Sequence, residues 1–415
     1  MSRMPRLILL IAVLTAMCFV GVAFAQQAVK PIKPAAPAKQ VAPTKVPTSE
    51  QTFKNIQALK GIPVDDFMGT MGVMSAALGF DCSDCHNMAG TEKVNWAADT
   101  TRKVISRRMV NMMAAINRDN FQGRQMVTCW SCHHGRDRPV TTPALEHVYG
   151  PPFDETDDVL KNETDQTPAV EIIDKYIKAI GGTERLAAIK SYVATGSSVG
   201  FGGFGGGGKV EIFAKAPDQR GMWFTFPEVP DRGDAVRTYN GKTGWLRTPL
   251  TVLGEYELTG GELDGARFDA LLSFPAQIKT ALTNLKVSLP ATIRDLPGPS
   301  SQTSKEAAKD ATTEHLVNVV QGTGPRGLLV TLYFDQKTDL LLRMVRYGKS
   351  PIGRVPTQID YDDYREVDGV KMPFRVLYAW LDGRDAIQLS KIETNVSIDA
   401  AKFGRPPAST VPTPK

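Results

Sequence analysis

The sequence predicts an α+β chain of two unlike halves, a small and mostly helical module followed by a curved antiparallel β-sheet with covering helices. Three observations predict it. All cysteines but Cys18 fall between Cys82 and Cys132, among methionine-rich segments of helical period. From Ser191 onward apolar residues alternate with period two, interrupted by Asn-Gly, Asp-Gly and glycine-rich turns. Between these regions, residues 144–167 are acidic and contain proline, and follow neither period. With 415 residues, 22 % charged and 42 % hydrophobic, the chain has room for two or three domains. The same composition excludes a collagen, a fully disordered chain and a polytopic membrane protein. The net charge of +5, to which Arg3 and Arg6 contribute two, is too slight to suggest nucleic-acid binding.

Residues 1–25 run from Arg3 and Arg6 through the apolar stretch Leu7–Val22 to Ala23-Phe24-Ala25, the order of a secretory signal peptide. The apolar core of about 16 residues is short of the roughly 20 that a spanning helix needs, which favours cleavage over a retained anchor. A lipid-modified Cys18 is disfavoured by the bulky Met17 before it. The expected location is periplasmic or extracellular, compatible with membrane association but not with a transmembrane protein after cleavage. Residues 26–50, rich in Pro, Ala, Lys and Val, read as an extended linker.

Four cysteines in an oxidising compartment would ordinarily form disulfides. Their order points elsewhere. Cys82-Ser83-Asp84-Cys85-His86 and Cys129-Trp130-Ser131-Cys132-His133 are both Cys-x-x-Cys-His. In a c-type cytochrome the two thiols attach to the porphyrin vinyl groups, and the following histidine rises beneath the iron as its proximal ligand. A zinc site built from four thiolates would not need a histidine directly after each pair. The motifs therefore predict two covalently bound haem c groups, with His86 and His133 as proximal ligands.

An electron-transfer haem needs a sixth ligand. Of fourteen methionines, eight lie within residues 51–140, which favours His/Met ligation; most of them would also serve to pack around the cofactors. Residues 64–78 read as a helix with Asp65 and Asp66 in its first turn and Gly79 as its stop. Met68, Met71, Met74 and Leu78 share one face, and Gly69 and Gly72 suggest close approach of a flat macrocycle. Residues 99–117 read as a second helix, capped by Asp99 or Thr100, with an apolar stripe of Val104, Ile105, Met109, Met112, Met113 and Ile116. A methionine-bearing helix followed by Cys-x-x-Cys-His thus occurs twice, a degenerate repeat.

The strings FMGTMGVMSAALGFDCSDCHN, RRMVNMMAAIN and VTCWSCHHG resemble the cytochrome subunit of photosynthetic reaction centres, more specifically its two-haem bacterial relatives, over about residues 51–143. That resemblance implies distal ligation by the methionine on the preceding helix. Here this is Met71 for the first haem, with Met74 as rival, and Met112 for the second, with Met109 as rival. Two motifs stand here rather than four, so the resemblance implies the haem-packing module and not photosynthesis. His134 reads as an exposed or propionate-contacting residue, and Arg136 and Arg138 as propionate partners or solvated charges.

Residues 168–180 read as a helix with Ile172, Ile173, Tyr176, Ile177 and Ile180 inward, ahead of a meander of about ten strands interrupted by a helix over 267–282. The strings IDKYIKAIGG, YFDQKTDLLLRMVRY, YDDYREVDGVKMPFRV and NVSIDAAKF resemble the half-barrel fold of outer-membrane lipoprotein carriers over about 168–404. That resemblance implies an apolar groove for a lipid, a quinone or a partner's segment; a fully packed docking domain is the alternative. Gly200-Phe201-Gly202-Gly203-Phe204-Gly205 matches a dinucleotide-binding pattern literally, but a strand follows it, so it reads as a hairpin tip. The run Asp360, Asp362, Asp363, Glu366 and Asp368 reads as a solvated face rather than a calcium site.

The expected organisation is a signal peptide over 1–25, a linker over 26–50, a dihaem module over 51–143 and an acidic linker over 144–167. The sheet domain follows over 168–404, with a Pro-rich tail over 405–415. The expected function is electron transfer between redox partner proteins, not enzymatic catalysis. Two alternatives remain: a haem oxidoreductase acting on a small oxidant, and a lipid or quinone carrier with a redox function.

Overall fold

The computed structural model describes residues 46–407 apart from 92, 140, 144, 150–159, 201–206, 229–232, 249–253 and 296–312. The signal peptide, the linker as far as residue 45, most of the Gly200–Gly205 segment and the tail from 408 lie outside the described residues.

The helical half comprises α1 (Ser49–Thr52), α2 (Val64–Leu78), α3 (Cys82–Cys85), α4 (Thr101–Phe121) and α5 (Cys129–His133). α2 has the limits its sequence announces: Pro63 precedes it with φ −56°, and Gly79 ends it in the left-handed region at φ 67°. α4 is capped by the Thr100 hydroxyl, which accepts from Lys103 N–H at 3.3 Å. It runs four residues beyond the expected end, because nothing in Arg118–Phe121 breaks it before Gln122 turns left-handed.

After α6 (Leu145–Tyr149), α7 (Ala169–Ala179) and α8 (Thr183–Ala188) the chain enters the sheet. One arm is formed by β1 (Ser191–Val199), β2 (Gly207–Lys215), β3 (Gln219–Thr225), β4 (Ala235–Asn240), β5 (Gly244–Arg247) and β6 (Glu255–Glu257). Two helices, α9 (Gly260–Leu272) and α10 (Ile278–Ala281), then lead to β7 (Thr283–Val287), β8 (Ala291–Arg294) and β9 (Glu314–Thr323). β10 (Leu329–Asp335), β11 (Leu341–Ser350), β12 (Gly353–Val367), β13 (Val370–Trp380) and β14 (Gly383–Thr394) complete the second arm. The fourteen strands form one curved, unclosed antiparallel sheet in the order β6-β5-β4-β3-β2-β1-β14-β13-β12-β11-β10-β9-β7, with β8 also on β9.

β1 and β14 join the two arms through a ladder whose register shifts at Thr195/Gly196. A side chain at Gly196 would collide with the Gln388 carbonyl, so only glycine fits there. The strands beyond the ten or so expected are β6, β7 and β8, edge strands of three to five residues and too short to show alternation.

The core lies between the sheet and α7. Ile172, Ile173, Tyr176 and Ile177 are buried as the helical period requires, joined by Ile180 just beyond the helix. The Tyr176 ring meets Phe334 of β10 at 5.3 Å. The helix expected over 267–282 is corrected: α9 begins at Gly260, and Pro275 separates it from α10. Its start depends on a remote residue, since the Thr259 N–H and hydroxyl both donate to the Asp65 carboxylate of α2.

The acidic run on β12 is paired rather than simply solvated. Asp360 bonds Arg343 at 2.6 Å, Asp363 bonds Arg365 at 2.6 Å, and Asp362 faces Arg375 at 3.4 Å. The Gly200–Gly205 segment connects β1 to its antiparallel neighbour β2, with no helix after it.

Two hairpin tips of the sheet reach the helical half. Ile352, between β11 and β12, is fully buried with Val73 of α2 and Val110 and Met113 of α4. Gln125 donates to the Ser350 carbonyl at 2.9 Å beside it. Leu381 and Asp382, between β13 and β14, lie against Gly72.

Candidate haem centres

The first motif is a single helical turn with both ends tied. The Asp81 carboxylate accepts from the N–H groups of Ser83 (2.7 Å) and Asp84 (3.3 Å), and Asp84 accepts in return from Asp81 N–H at 3.0 Å. This turn carries Cys82 and Cys85 on one face. Downstream, the Thr100 hydroxyl donates to the Cys85 carbonyl at 2.9 Å, and Arg102 pairs with Asp84 while stacking 4.2 Å from the Phe80 ring centre. The Lys103 ammonium donates to the carbonyls of Trp96 (2.9 Å) and Ala98 (2.6 Å), closing the loop over His86.

The His86 ring lies 5.0 Å from that of Trp96. Burial, then the nearby Lys103 charge, pushes its pKa down to about 4, so the imidazole is neutral at pH 7, as metal ligation demands. Its Nδ1 is buried without a hydrogen-bond partner, as is the indole N–H of Trp96.

A cavity of about 940 Å³ opens beside this turn. Met68, Met71, Met74 and Leu78 of α2 line it together with Cys82, Cys85 and His86. Residues that the sequence assigns to one haem are thus brought to one cavity. Two thiols, a neutral imidazole with an orphaned nitrogen and several thioethers suit a covalently held haem. Among the described residues no three His, Cys, Asp or Glu side chains converge on a metal position, and the four cysteines are free thiols.

The glycines of α2 line this cavity and also meet the sheet. A Cβ on Gly69 would meet Val355 of β12, and one on Gly72 would meet Leu381, each at 3.4 Å. They admit the sheet to the helix.

The second motif lies across α2 from the first. α5 carries its own reciprocal cap between Thr128 and Ser131 (3.0 and 3.3 Å). The Gly135 N–H donates to the Ala77 carbonyl at 2.9 Å, tying the motif to the end of α2. His133 Nδ1 lies 2.9 Å from the Arg136 carbonyl; the carbonyl can only accept, so Nδ1 is the donor in this contact. Cys129 packs on the cluster of Val73, Val110, Met113 and Ile352, while Cys132 is exposed.

Of the apolar stripe expected on α4, Met113 is buried and Ile116 half-buried, while the rest lies open. Val110, Met113 and Asn117 form the buried face, whereas Val104, Ile105, Met109 and Met112 are exposed. The two faces are separated by about 130° around the helix, and the Ile352 tip occupies the first. Met109 (38 % exposed) and Met112 (48 %) therefore share an open apolar face, and Met126 and Trp130 are exposed apolar residues nearer the second motif. His134 caps α5 in the left-handed region and meets the Trp130 ring edge-on at 5.9 Å. Arg136 and Arg138 are exposed.

Sequence reasoning missed the sheet's share of the first cavity, whose far wall includes Val355, Trp380, Leu381 and Asp382. It also missed Asp65 as the link between α2 and α9. Beside it, burial, then the Asp65 charge, raises Asp66 to about pH 6, above its ordinary value of about 3.9. The folded chain therefore holds this proton more tightly than the unfolded chain does. The resulting stability is complete below about pH 4 and is lost as pH rises through 6. Asp66→Asn is accordingly expected to raise the thermal midpoint at pH 7.5 and leave it unchanged at pH 4, read by melts at both pH values.

Residues 19–172 match the family model described as photosynthetic reaction centre cytochrome C subunit. The photosynthetic reaction center cytochrome c subunit of Thermochromatium tepidum is 33 % identical over 113 residues, covering 25 % of this chain and 27 % of that protein. Its counterpart from Rubrivivax gelatinosus is 31 % identical over 115 residues, covering 26 % and 30 %. The chain thus spans less than a third of the length of these curated relatives. Among solved structures, a LolA superfamily protein from Nitrosomonas europaea is similar with a TM-score of 0.36 and 12 % identity, over 58 % of this chain and 99 % of that one. A lipoprotein-sorting protein domain from Vibrio parahaemolyticus gives 0.34 and 11 %, over 57 % and 97 %. Over residues 19–172, which hold both Cys-x-x-Cys-His motifs and both methionine-bearing helices, the chain is similar to the photosynthetic reaction centre cytochrome C subunit family.

Proposed function

We propose that the chain is an exported dihaem c-type cytochrome that passes single electrons between redox partner proteins, with residues 51–143 holding the cofactors and residues 168–404 docking a partner or an apolar ligand. The observation that carries this reading is the shared cavity of Met71, Met74, Cys82, Cys85 and His86, paired with a second Cys-x-x-Cys-His turn across α2. The bound haem iron supplies a one-electron couple. Cys82 and Cys85 anchor the first haem, and Cys129 and Cys132 the second. His86 and His133 serve as proximal ligands. Met71 and Met112 serve as distal ligands, with Met74 and Met109 as rivals; thioether ligation holds the potential above that of a bis-histidine haem. The leader over 1–25 accounts for export. Among the described residues no helix is long and apolar enough to cross a membrane.

The purified protein is expected to contain two haems per chain by pyridine haemochrome assay, both low-spin by electron paramagnetic resonance. Met71→Ala should turn one of the two high-spin and lower its potential in a redox titration. An unchanged spectrum would transfer the assignment to Met74 or Met68. A high-spin haem in the native protein that binds carbon monoxide would overturn the electron-transfer reading in favour of chemistry on a small oxidant.

A further inference from the structure

The positive charge of the chain is concentrated in one segment. Residues 101–138 hold eight arginines and lysines against Asp119 and Asp137, a net +6 that exceeds the +5 of the whole chain. Toward the first motif this charge is cancelled: Arg102 pairs with Asp84, and Arg107 with Asp99 at 2.7 Å. Toward the second it is not. Arg108, Arg124, Arg136 and Arg138 are exposed and have no carboxylate partner among the described residues. Exposed apolar side chains stand among them. Arg108 lies one turn beyond Val104 and Ile105 on α4. Arg124 accepts through its carbonyl from the N–H of exposed Met126 at 2.9 Å. A Cβ on Gly135 would lie 3.7 Å from the exposed Trp130 ring, so Arg136 follows directly on that contact. The Asn117 side chain donates to the Val127 carbonyl at 2.7 Å and accepts from the N–H groups of Met126 and Val127 at 3.0 and 2.9 Å, fixing the approach to α5 against α4.

We propose that this arginine-bearing surface at the second motif docks an acidic one-electron carrier protein. Met109 and Met112 belong to the second haem in the cytochrome reading; Val104, Ile105, Met126 and Trp130 do not, and these are the apolar members of the docking surface. Methionine, tryptophan and arginine are the residues enriched at the centres of protein interfaces. All four unpaired cations are arginines, whose planar forks match carboxylates bidentately. Their field steers an acidic partner to this side and turns a basic one away. A lipid surface would also attract the charge, but the Cys-x-x-Cys-His turn lies in this surface, with Cys132 and Trp130 exposed. Burial against lipid would cut that turn off from a donor or acceptor, whereas a protein carrier seated there lies directly against it. One electron then crosses, reducing one centre as the other is oxidised, with no bond made or broken. The electron step rests on the cytochrome reading, whereas the docking stands on charge and exposure.

The test uses the full-length, haem-loaded protein and a reduced plant-type [2Fe–2S] ferredoxin, an acidic carrier whose low potential makes the transfer downhill. In stopped flow the second-order rate of haem reduction should fall about tenfold or more as ionic strength rises from ~0.01 to ~1 M, since screening removes the steering. At about 0.1 M, Arg124→Glu with Arg136→Glu should lower the rate about tenfold, while reduction by uncharged reduced lumiflavin and the haem spectrum stay as they are. Lys190→Glu with Lys215→Glu, the same change of net charge on exposed positions of the sheet half, should leave the ferredoxin rate unchanged. Hydrogen exchange of the unmodified protein with saturating ferredoxin should show protection within 104–138, which locates the contact even if the arginine variant does not fold. A rate indifferent to salt, an unchanged rate in the folded arginine variant, an equal loss in the lysine variant, or protection elsewhere would each overturn the proposal. So would phosphatidylglycerol vesicles that bind through Arg124 and Arg136 while the ferredoxin rate ignores both, which would assign the surface to a membrane. The haem count on the same sample is a separate readout: too few haems counts against the cytochrome reading, and two haems without ferredoxin-dependent protection against this one.

Discussion

Replacing Cys82 and Cys85 together by alanine is expected to leave one covalently bound haem per chain instead of two. The two motifs lie on opposite sides of α2 and have separate caps, Asp81 with Asp84 in one and Thr128 with Ser131 in the other. Losing the thioether anchors of the first therefore leaves the second turn intact. A haem-stained denaturing gel and a pyridine haemochrome assay check this, since only thioether-linked haem survives denaturation. Cys129→Ala with Cys132→Ala should give the reciprocal loss. Two haems in either double variant, or none, would show that the motifs do not act as independent attachment sites.

The second large effect is expected far from either motif in sequence. Ile352 belongs to the sheet, yet its side chain is fully buried among Val73, Val110 and Met113, the cluster on which Cys129 packs. Truncating a fully buried isoleucine to alanine costs about 2–5 kcal/mol, because the helices around it relax only partly into the space it leaves. Ile352→Ala should lose that much in chemical denaturation of the full-length protein, and Ile352→Val only about 0.5–1.5 kcal/mol. The loss should also appear as a shifted potential for one haem, since α2, α4 and Cys129 all share the contact. A stability change below about 0.5 kcal/mol for the alanine variant would mean that the hairpin tip does not hold the helices together.

Both effects bear on how the helices and the sheet depend on each other. α2 lies between them: its methionine face lines the cavity, Gly69 and Gly72 admit Val355 and Leu381, and Asp65 bonds Thr259 ahead of α9. Any ligand on the concave side of the sheet would therefore lie against the element that presents Met71.

How much of this was legible in the sequence varies with the range of the interaction. The limits of α2 were, because proline before it and glycine after it act on the backbone within one turn. The inward face of α7 was legible from helical period, and the long strands from alternation. The two Cys-x-x-Cys-His motifs stood out because the proposed attachment chemistry requires thiols and imidazole within five consecutive positions. The start of α9 was not legible, since its cap partner Asp65 lies on another helix. Nor was the buried face of α4: two apolar faces were available, and only the position of Ile352 selects between them.

By itself, then, the sequence determined the two Cys-x-x-Cys-His turns, the methionine-bearing helix and the change from helical to strand period. These depend on spacing, capping and alternation among near neighbours, and such interactions are written locally in the chain. Only the tertiary structure decided that two hairpin tips complete the helical core, that the glycines of α2 face the sheet, and that the first cavity continues to Arg346 and Asp269. Those contacts join residues well over a hundred positions apart, and no local period encodes which distant side chain fills a given face.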